Sequence, residues 1–301
     1  MTERALASAP TTEHIGVRDG VRLRVLRWSE PTDDPASAPV ILIHGLASNA
    51  RLWDGAARSL ASLGHGVVAV DLRGHGFSDK PDHGYELHAV ADDVMDVARV
   101  LATEDPRWAR PLVVGQSWGG NVVISIAARR GDLVRGVVAV DGGTIDLASA
   151  FDTWETCRQV LSPPALEGTP ASRLRSYMRA AHPDWPDEAI DGQMHNMELR
   201  DDGTIKPWLT LDRHLAILRG MWDVPPTTLW PEISVPVLFT PAAKGDDDHT
   251  RTKRSQLELA RTVLPQCAVE WFEPADHDLH AQHPERFARV VHRHIIEGFF
   301  A

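Results

Sequence analysis

The middle of the chain carries the stretch Leu112-Val113-Val114-Gly115-Gln116-Ser117-Trp118-Gly119-Gly120. Its first part is an apolar run that predicts a buried strand, and the residues from Trp118 to about Arg129 place apolar side chains at helical spacing. A sharp strand-to-helix turn brings the two backbones so close that residues without a Cβ are needed beside the serine, as Gly115 and Gly119 are. The stretch therefore predicts a nucleophile elbow that exposes the Ser117 hydroxyl above a sheet.

Composition and charge limit the class of protein. The chain has 301 residues, 43% hydrophobic and 24% charged, and none of its apolar runs approaches the ~20 residues needed to span a bilayer. Its net charge of −11 disfavours the basic surface that binds nucleic acid. The first ten residues, Met1 to Pro10, include an acidic residue and no apolar core. They predict a polar tail rather than a secretion signal, so we expect a cytoplasmic protein.

The sequence offers little support for a metal or cofactor site. Its two cysteines, Cys157 and Cys267, are too few and too far apart for a disulfide framework or a cysteine-based zinc site. The fifteen histidines are scattered and lack a metal-binding helix spacing, even where Asp276–His280 and Asp246–His249 form dense clusters. We therefore expect no metal and no cofactor, and a small-molecule substrate as the partner. The oligomeric state stays open.

Predicted strands and helices alternate over most of the chain. Apolar runs predict strands at residues 40–43, 67–70, 112–114, 137–140, 237–240 and 268–272. An Asp19-Gly20 turn between two alternating segments predicts a β-hairpin before the first of these. Because helical segments separate the strands, the sequence predicts an α/β fold with a doubly wound, mostly parallel sheet.

The alternation stops between residues 144 and 232. This segment has helical periodicity and holds five of the ten tryptophans and four of the six methionines. It predicts a helical cap inserted before the last two strands, with the core divided into residues 1–143 and 233–301. Aromatic and methionine side chains suit an apolar binding surface, and packing of the helices against each other is the alternative role for most of them. The candidate pocket residues are Trp154, Tyr177, Met194 and Trp222.

A serine hydroxyl needs a histidine base, and an acid that orients the base, to become a nucleophile. His277 directly follows the strand at 268–272 and is the candidate base, with His280 as a less favoured substitute. The candidate acids follow two different strands and are Asp246, Asp247, Asp248 and Asp141. We expect Asp246, the first carboxylate after the strand at 237–240, to orient His277, and we keep Asp141 as the alternative.

Backbone N–H groups are the candidate donors to an oxyanion. One belongs to Trp118, the residue after the serine, and the other to Leu46, in the loop that begins with His44-Gly45. His44 is expected to hold this loop rather than to act as a second base. A polar group in the loop after the strand at 67–70 is expected to tie loops together; it consists of Asp71, Arg73, His75 and Ser78.

In these residues the chain resembles the α/β-hydrolase fold superfamily, specifically its cap-bearing serine esterase and lipase-like branch. The resemblance runs from about His14 to the C-terminus. It rests on His44-Gly45, on Asp71-Leu72-Arg73-Gly74-His75-Gly76-Phe77-Ser78, on Gly115 to Gly120, and on Asp276-His277 with His280, Pro284, Glu285 and Phe287. The loop Lys244-Gly245-Asp246-Asp247-Asp248 departs from the superfamily, because it is longer than the usual Gly-x-x-Asp form.

The resemblance implies a serine hydrolase that works through an acyl-enzyme on Ser117, and the tryptophan- and methionine-rich segment predicts carboxylic esters of small to medium apolar molecules as substrates. Carbon–carbon bond hydrolases, thioesterases, lactonases and perhydrolases use the same triad and remain alternatives. Haloalkane dehalogenases and epoxide hydrolases are disfavoured, because they use an aspartate where this chain has Ser117. A module that binds a small ligand with little turnover is also disfavoured, because the chain offers a serine, a histidine and an acid.

Overall fold

The structure, a computed structural model, describes residues 9–301, so the predicted polar tail lies almost wholly outside the described residues. The strands are β1 (Thr11–Gly16), β2 (Arg22–Ser29), β3 (Pro39–Ile43), β4 (Gly66–Val70), β5 (Leu112–Gln116), β6 (Gly136–Val140), β7 (Met197–Leu199), β8 (Ile205–Pro207), β9 (Val237–Thr240) and β10 (Cys267–Val269). The helices are α1 (Asp54–Ser62), α2 (Leu87–Glu104), α3 (Trp118–Arg130), α4 (Leu147–Ala150), α5 (Trp154–Leu161), α6 (Ala171–Ala181), α7 (Asp187–Met194), α8 (Leu211–Asp223), α9 (Asp248–Val263), α10 (Leu279–Gln282) and α11 (Pro284–Ile296).

Eight of these strands form one sheet in the order β1-β2-β4-β3-β5-β6-β9-β10. β2 pairs antiparallel with β1 and β4, whereas all pairs from β4 to β10 are parallel. The predicted α/β fold with a mostly parallel sheet is confirmed. The predicted hairpin is confirmed as well, since Asp19 and Gly20 take the positive φ values, 60° and 72°, that a tight turn between twisted strands requires.

Helices cover both faces of the sheet because its central strands are apolar on both faces. In β3, Ile41 and Ile43 pack in one cluster with side chains of α2 and α3, while Val40 and Leu42 pack in the other with side chains of α1 and α11. All four side chains are fully buried. Because the strands from β4 to β10 are parallel, their carboxyl ends all lie at one edge of the sheet. A functional site is expected at that edge in such folds.

The segment from residue 144 to residue 232, called the insert below, lies between β6 and β9 in the chain. It contains α4 to α8, and also an antiparallel pair, β7 and β8, that the helical prediction did not include. Asp202-Gly203 lies in the turn between β7 and β8, with Gly203 at φ 78°. Within residues 9–301, no helix combines the length and the apolar character needed to cross a membrane.

Candidate active site

The turn between β5 and α3 has the strained geometry of a nucleophile elbow. Ser117 has φ 55° and ψ −119°, in a region that residues with a side chain rarely adopt. A Cβ on Gly115 would lie 2.1 Å from the Gly119 carbonyl oxygen, and a Cβ on Gly119 would lie 2.6 Å from the His44 carbonyl oxygen. Both glycines are therefore required by close backbone contact, which is the physical basis of the Gly-x-Ser-x-Gly pattern.

His277 lies in the loop between β10 and α10, with its imidazole half exposed. Its Nδ1 donates a hydrogen bond to Asp141 Oδ2 at 2.6 Å, so Nε2 is left as the proton acceptor. The side-chain amide of Gln116 donates to the His277 carbonyl oxygen at 3.4 Å and ties the histidine loop to the elbow. Among the described residues, no hydrogen bond joins Ser117 Oγ to His277; such contacts are often long before a substrate binds.

The structure corrects the predicted acid. Asp246 is exposed, and its carboxylate pairs with Arg251 at 3.5 Å rather than with His277. The carboxylate that contacts His277 belongs to Asp141, which directly follows β6 and was the alternative candidate. The N–H of Asp141 donates to the Thr240 carbonyl at 3.0 Å, so the parallel pairing of β6 with β9 fixes the position of the acid.

Asp247 and Asp248 also lie away from His277, because they form the start of α9. The Asp247 carboxylate accepts a hydrogen bond from the Thr250 N–H at 2.7 Å and so caps the helix. Asp248 is fully exposed and pairs with Arg251. Acidic residues are favoured at a helix N-terminus, where free N–H groups need acceptors. Helix capping therefore accounts for the acidic run.

Charged neighbours set the protonation of the histidine–aspartate pair. Burial raises the pKa of Asp141, but His277 and Lys253 outweigh it and hold the pKa of this carboxyl below its ordinary value. Burial lowers the pKa of His277, but the hydrogen bond to Asp141 and the charge of Asp278 outweigh it and raise this pKa above its ordinary value. The pair therefore combines an ionised acid with a histidine that accepts a proton readily.

The two predicted oxyanion donors flank the serine. Leu46 follows Gly45, whose Cβ position lies 3.0 Å from the Ser117 Cβ, and Trp118 opens α3 directly after the serine. Within residues 9–301, the Leu46 N–H donates to no other group. The Trp118 N–H is the first of its helix and so has no acceptor within that helix. Both N–H groups are thus available to an oxygen that develops charge beside Ser117.

Two buried histidines hold the loop that contains Leu46. His44 Nε2 accepts a hydrogen bond from the Leu72 N–H at 3.0 Å, and His75 Nε2 accepts one from the Ala47 N–H at 3.2 Å. Burial lowers the pKa of both histidines, so each is neutral and able to accept. His44 therefore has the structural role that the sequence predicts.

A cavity of about 470 Å³ lies between this loop and the insert. The core contributes Ala47, Ser48, His75 and Gly76 to its lining. The insert contributes residues 163–167, 196–197, 206–211 and 214. Most of these side chains are apolar, and the ionisable ones are His75, Glu167, Lys206 and His214. The cavity is the candidate substrate pocket, because it is concave, mostly apolar and lined by Ala47, the residue after the candidate oxyanion donor Leu46.

The predicted pocket residues Trp154, Tyr177, Met194 and Trp222 do not line this cavity. Trp154 and Trp222 pack against each other instead, with ring centroids 5.9 Å apart. Tyr177 is 68% exposed, and Met194 ends α7. The tryptophan of the insert that does line the cavity is Trp208. None of the four therefore lies at the candidate pocket, because enrichment in aromatic side chains does not reveal which of them pack together, and their role in substrate binding stays a prediction.

Asp276 connects the insert to the histidine loop. Its carboxylate accepts hydrogen bonds from His182 Nδ1 and Trp185 Nε1, both at 2.9 Å, and pairs with Lys244 from the loop after β9. Since Asp276 precedes His277, the insert is anchored one residue away from the candidate base.

Lys253 is a site residue that the sequence reasoning missed. Its Nζ lies 2.6 Å from Asp141 Oδ1, although a lysine on a charged helix would ordinarily face solvent. The signal that identifies it is spacing along α9. Thr250, Leu257 and Ala260 are buried, and Lys253 falls on the same helical face, three residues after Thr250 and four before Leu257.

A strained serine elbow, a histidine bonded to an aspartate, and a mostly parallel sheet covered by helices define an α/β-hydrolase. A family model described as the alpha/beta hydrolase family matches residues 40–290, which is most of the chain. The chain therefore belongs to the alpha/beta hydrolase family.

Relatives match the chain over most of its length. An esterase of Mycobacterium tuberculosis is 36% identical over 307 residues, with 96% of this chain and 91% of the esterase covered. A 2-(acetamidomethylene)succinate hydrolase of Mesorhizobium japonicum is 28% identical over 260 residues, with 86% of this chain and 88% of that protein covered. A crystal structure of E-2-(acetamidomethylene)succinate hydrolase aligns with a TM-score of 0.75 at 22% identity, over 96% of this chain and 100% of the other. The sequence relatives support a hydrolase, and the structural likeness supports the fold.

Proposed function

We propose that this protein is a serine hydrolase that cleaves carboxylic esters of small to medium apolar molecules through an acyl-enzyme on Ser117. The observation that carries this proposal is the 2.6 Å hydrogen bond from His277 to Asp141, in a loop tied to the elbow of Ser117. A strained serine, an oriented histidine and two available N–H groups are the parts that acyl transfer requires.

In the proposed reaction, Ser117 Oγ attacks the ester carbonyl carbon while His277 Nε2 takes the hydroxyl proton. The carbonyl oxygen gains negative charge opposite the N–H groups of Leu46 and Trp118. The proton then passes to the leaving alcohol oxygen as the C–O bond breaks, and the acyl group stays on Ser117. Water, deprotonated by the same histidine, releases the acid and restores the serine. Asp141 keeps the histidine in the required tautomer and stabilises its charged form.

The charge of the cavity supports a neutral substrate. Lys206 is the lysine that lines the cavity, and Glu167 lines the same cavity and carries the opposite charge. Burial lowers the pKa of His75 and of His214, so neither supplies a second positive charge. A dicarboxylate such as the succinate derivative of the Mesorhizobium relative would lack a second cation here. The 36% identity to an esterase also supports an ester substrate.

Two further features belong to the proposal. We propose that the insert acts as a cap, because it supplies most of the cavity lining and is anchored through Asp276 beside His277. We also propose that the enzyme is cytoplasmic. We further propose that it needs no cofactor or metal, since the protein's own side chains and backbone supply every group that the reaction above requires.

The proposal is tested with a fluorophosphonate probe and p-nitrophenyl esters from acetate to laurate. We expect labelling at Ser117, and a kcat/KM that climbs over the first added methylenes by up to about fourfold each, since burying one methylene contributes about 0.8 kcal/mol. The climb should end where the cavity is filled.

Two outcomes would count against this proposal. Ser117→Ala should fold normally and lose turnover by several orders of magnitude, so a variant that kept more than a few per cent of turnover would exclude Ser117 as the nucleophile. A flat ester series, or cleavage of a vinylogous diketone, thioester or lactone in place of esters, would replace the ester substrate with one of the alternatives that share the triad.

A further inference from the structure

Lys253 extends from α9 to the carboxylate of Asp141. Its Nζ lies 2.6 Å from Asp141 Oδ1 and donates a second hydrogen bond to the Ala242 carbonyl at 2.9 Å. The lysine side chain is 15% exposed and the aspartate side chain 3% exposed, so water screens this ion pair poorly. Lysine is rarely this buried unless its charge is paired, which indicates that the contact is a fixed part of the fold.

The two oxygens of Asp141 have separate partners. Oδ1 accepts from Lys253 and from the Ala242 N–H, the latter at 2.9 Å, whereas Oδ2 accepts from His277 at 2.6 Å. The donors on Oδ1 fix the rotation of the carboxylate, which leaves Oδ2 directed at the histidine. A rigidly held acid orients the imidazole without a loss of side-chain freedom during the reaction.

We propose that Lys253 is a positioning residue of the catalytic triad, which holds the Asp141 carboxylate in the orientation that meets His277. The inference rests on the proposed function, because it assigns to Asp141 and His277 the roles described above. Lys253 makes no contact with the nucleophile and acts only through the acid and through its charge.

The charge effect has a definite sign. The groups that face His277 are Asp141 and Asp278, which favour its protonated form, and Lys253, which disfavours it. His280 also faces His277, but its burial lowers its own pKa to about 3, so it carries no charge at neutral pH. Removal of the lysine charge therefore raises the pKa of His277, and the rise of kcat/KM with pH moves to higher pH.

Three substitutions separate the contributions of charge and hydrogen bonding. Lys253→Met removes both and should lower kcat about tenfold to a hundredfold, as expected when a catalytic group is less well held, with KM nearly unchanged. Lys253→Gln keeps a donor without the charge, so it should retain more of kcat but show the same shift of the pH profile. Lys253→Arg keeps the charge and should restore the wild-type pH profile.

Arg251→Met is the matched control, since Arg251 is a cation on the same helix whose partners are the exposed Asp246 and Asp248. It should leave both kcat and the pH profile as in wild type. If Lys253→Met fails to fold because the buried Asp141 carboxylate loses the lysine charge, the double variant Lys253→Met/Asp141→Asn should recover the melting temperature, since the buried carboxylate charge is removed as well.

Two outcomes separate this inference from the proposed function. If Ser117→Ala abolishes ester turnover while Lys253→Met keeps the wild-type kcat and pH profile, Lys253 has no positioning role and the hydrolase proposal stands. If the wild-type protein cleaves no ester, the proposed function fails, and an NMR titration of the His277 imidazole still tests the lysine. A pKa of His277 that rises in Lys253→Met and Lys253→Gln supports the inference, and an unchanged value overturns it.

Discussion

Two acidic loops follow neighbouring strands of the same sheet and have opposite environments. The loop after β6 carries Asp141, buried and bonded to His277, Lys253 and a backbone N–H. The loop after β9 carries Asp246 with two further aspartates, all exposed and bonded to groups of α9. The three adjacent carboxylates thus bind groups at the N-terminus of α9, whereas the single carboxylate of Asp141 contacts the candidate base.

Backbone conformation accounts for much of this difference. Asp141 has φ 40°, and its N–H is bonded to β9, so the residue turns away from the strand directly beside the histidine loop. Asp246 comes later, after the buried segment from Pro241 to Ala243, at a point where the chain has reached the surface. The path of the backbone determines which carboxylate contacts the candidate base. The number of carboxylates in a loop does not determine it.

The largest effect on kcat is expected from a substitution in the loop after β6. Asp141→Asn should lower kcat by about 10³- to 10⁴-fold, because the asparagine amide disfavours the tautomer of His277 that accepts the serine proton. Asp246→Asn should stay within about twofold of wild type, because an exposed ion pair contributes little. Steady-state kinetics of both purified variants on one ester make the comparison, with circular dichroism as the check on folding. The reverse ranking would return the acid to the loop after β9.

The limits of prediction from the sequence follow from the same two loops. The strands and the elbow are predictable, since fully buried strands require continuous apolar runs and the elbow requires Gly115 and Gly119. The order of serine, acid and histidine along the chain fits Asp141 and Asp246 equally well. The burial of Asp141, its positive φ and its contacts with His277 and with a lysine from α9 distinguish them, and all of these depend on the tertiary fold.

A smaller effect is expected on the pH dependence of kcat/KM, which also separates the surroundings of His277 from the exposed loop after β9. His277 must be neutral to accept a proton, so kcat/KM should rise with pH through a pKa above the ordinary histidine value. Asp278→Asn removes a negative charge beside this histidine and should move the rise to lower pH. When kcat/KM of each protein is divided by its own value on the high-pH plateau, the variant should be roughly two- to fivefold more active than wild type near pH 6.

The matched control for that profile comes from the exposed loop. Asp248→Asn removes the same charge from a side chain that pairs with Arg251 and should leave the profile unchanged. An equal shift in both variants would mean that the net charge of the protein, rather than the neighbours of His277, sets the profile.

The insert shows why pocket residues are harder to predict than elements. The hairpin of β7 and β8 has an Asp202-Gly203 turn, the same signal that predicts the hairpin of β1 and β2, but its three-residue strands are too short to give a periodic pattern. The cavity lining draws on this hairpin and on the loop around residues 163–167. Neither has the aromatic enrichment on which the pocket prediction relied.

The smallest effect is expected from the cap of α9. Asp247→Ala removes the acceptor of the Thr250 N–H, so the first turn of the helix should fray and the melting temperature should fall by roughly 1–3 °C. Asp247→Asn, which keeps an acceptor at the same position, should lose less. Because Lys253 lies on the buried face of α9 and holds two hydrogen bonds of its own, kcat should stay within about twofold in both variants. A tenfold loss of kcat in Asp247→Ala alone would show that the exposed loop also contributes to holding the acid, and would remove the separation between the two loops.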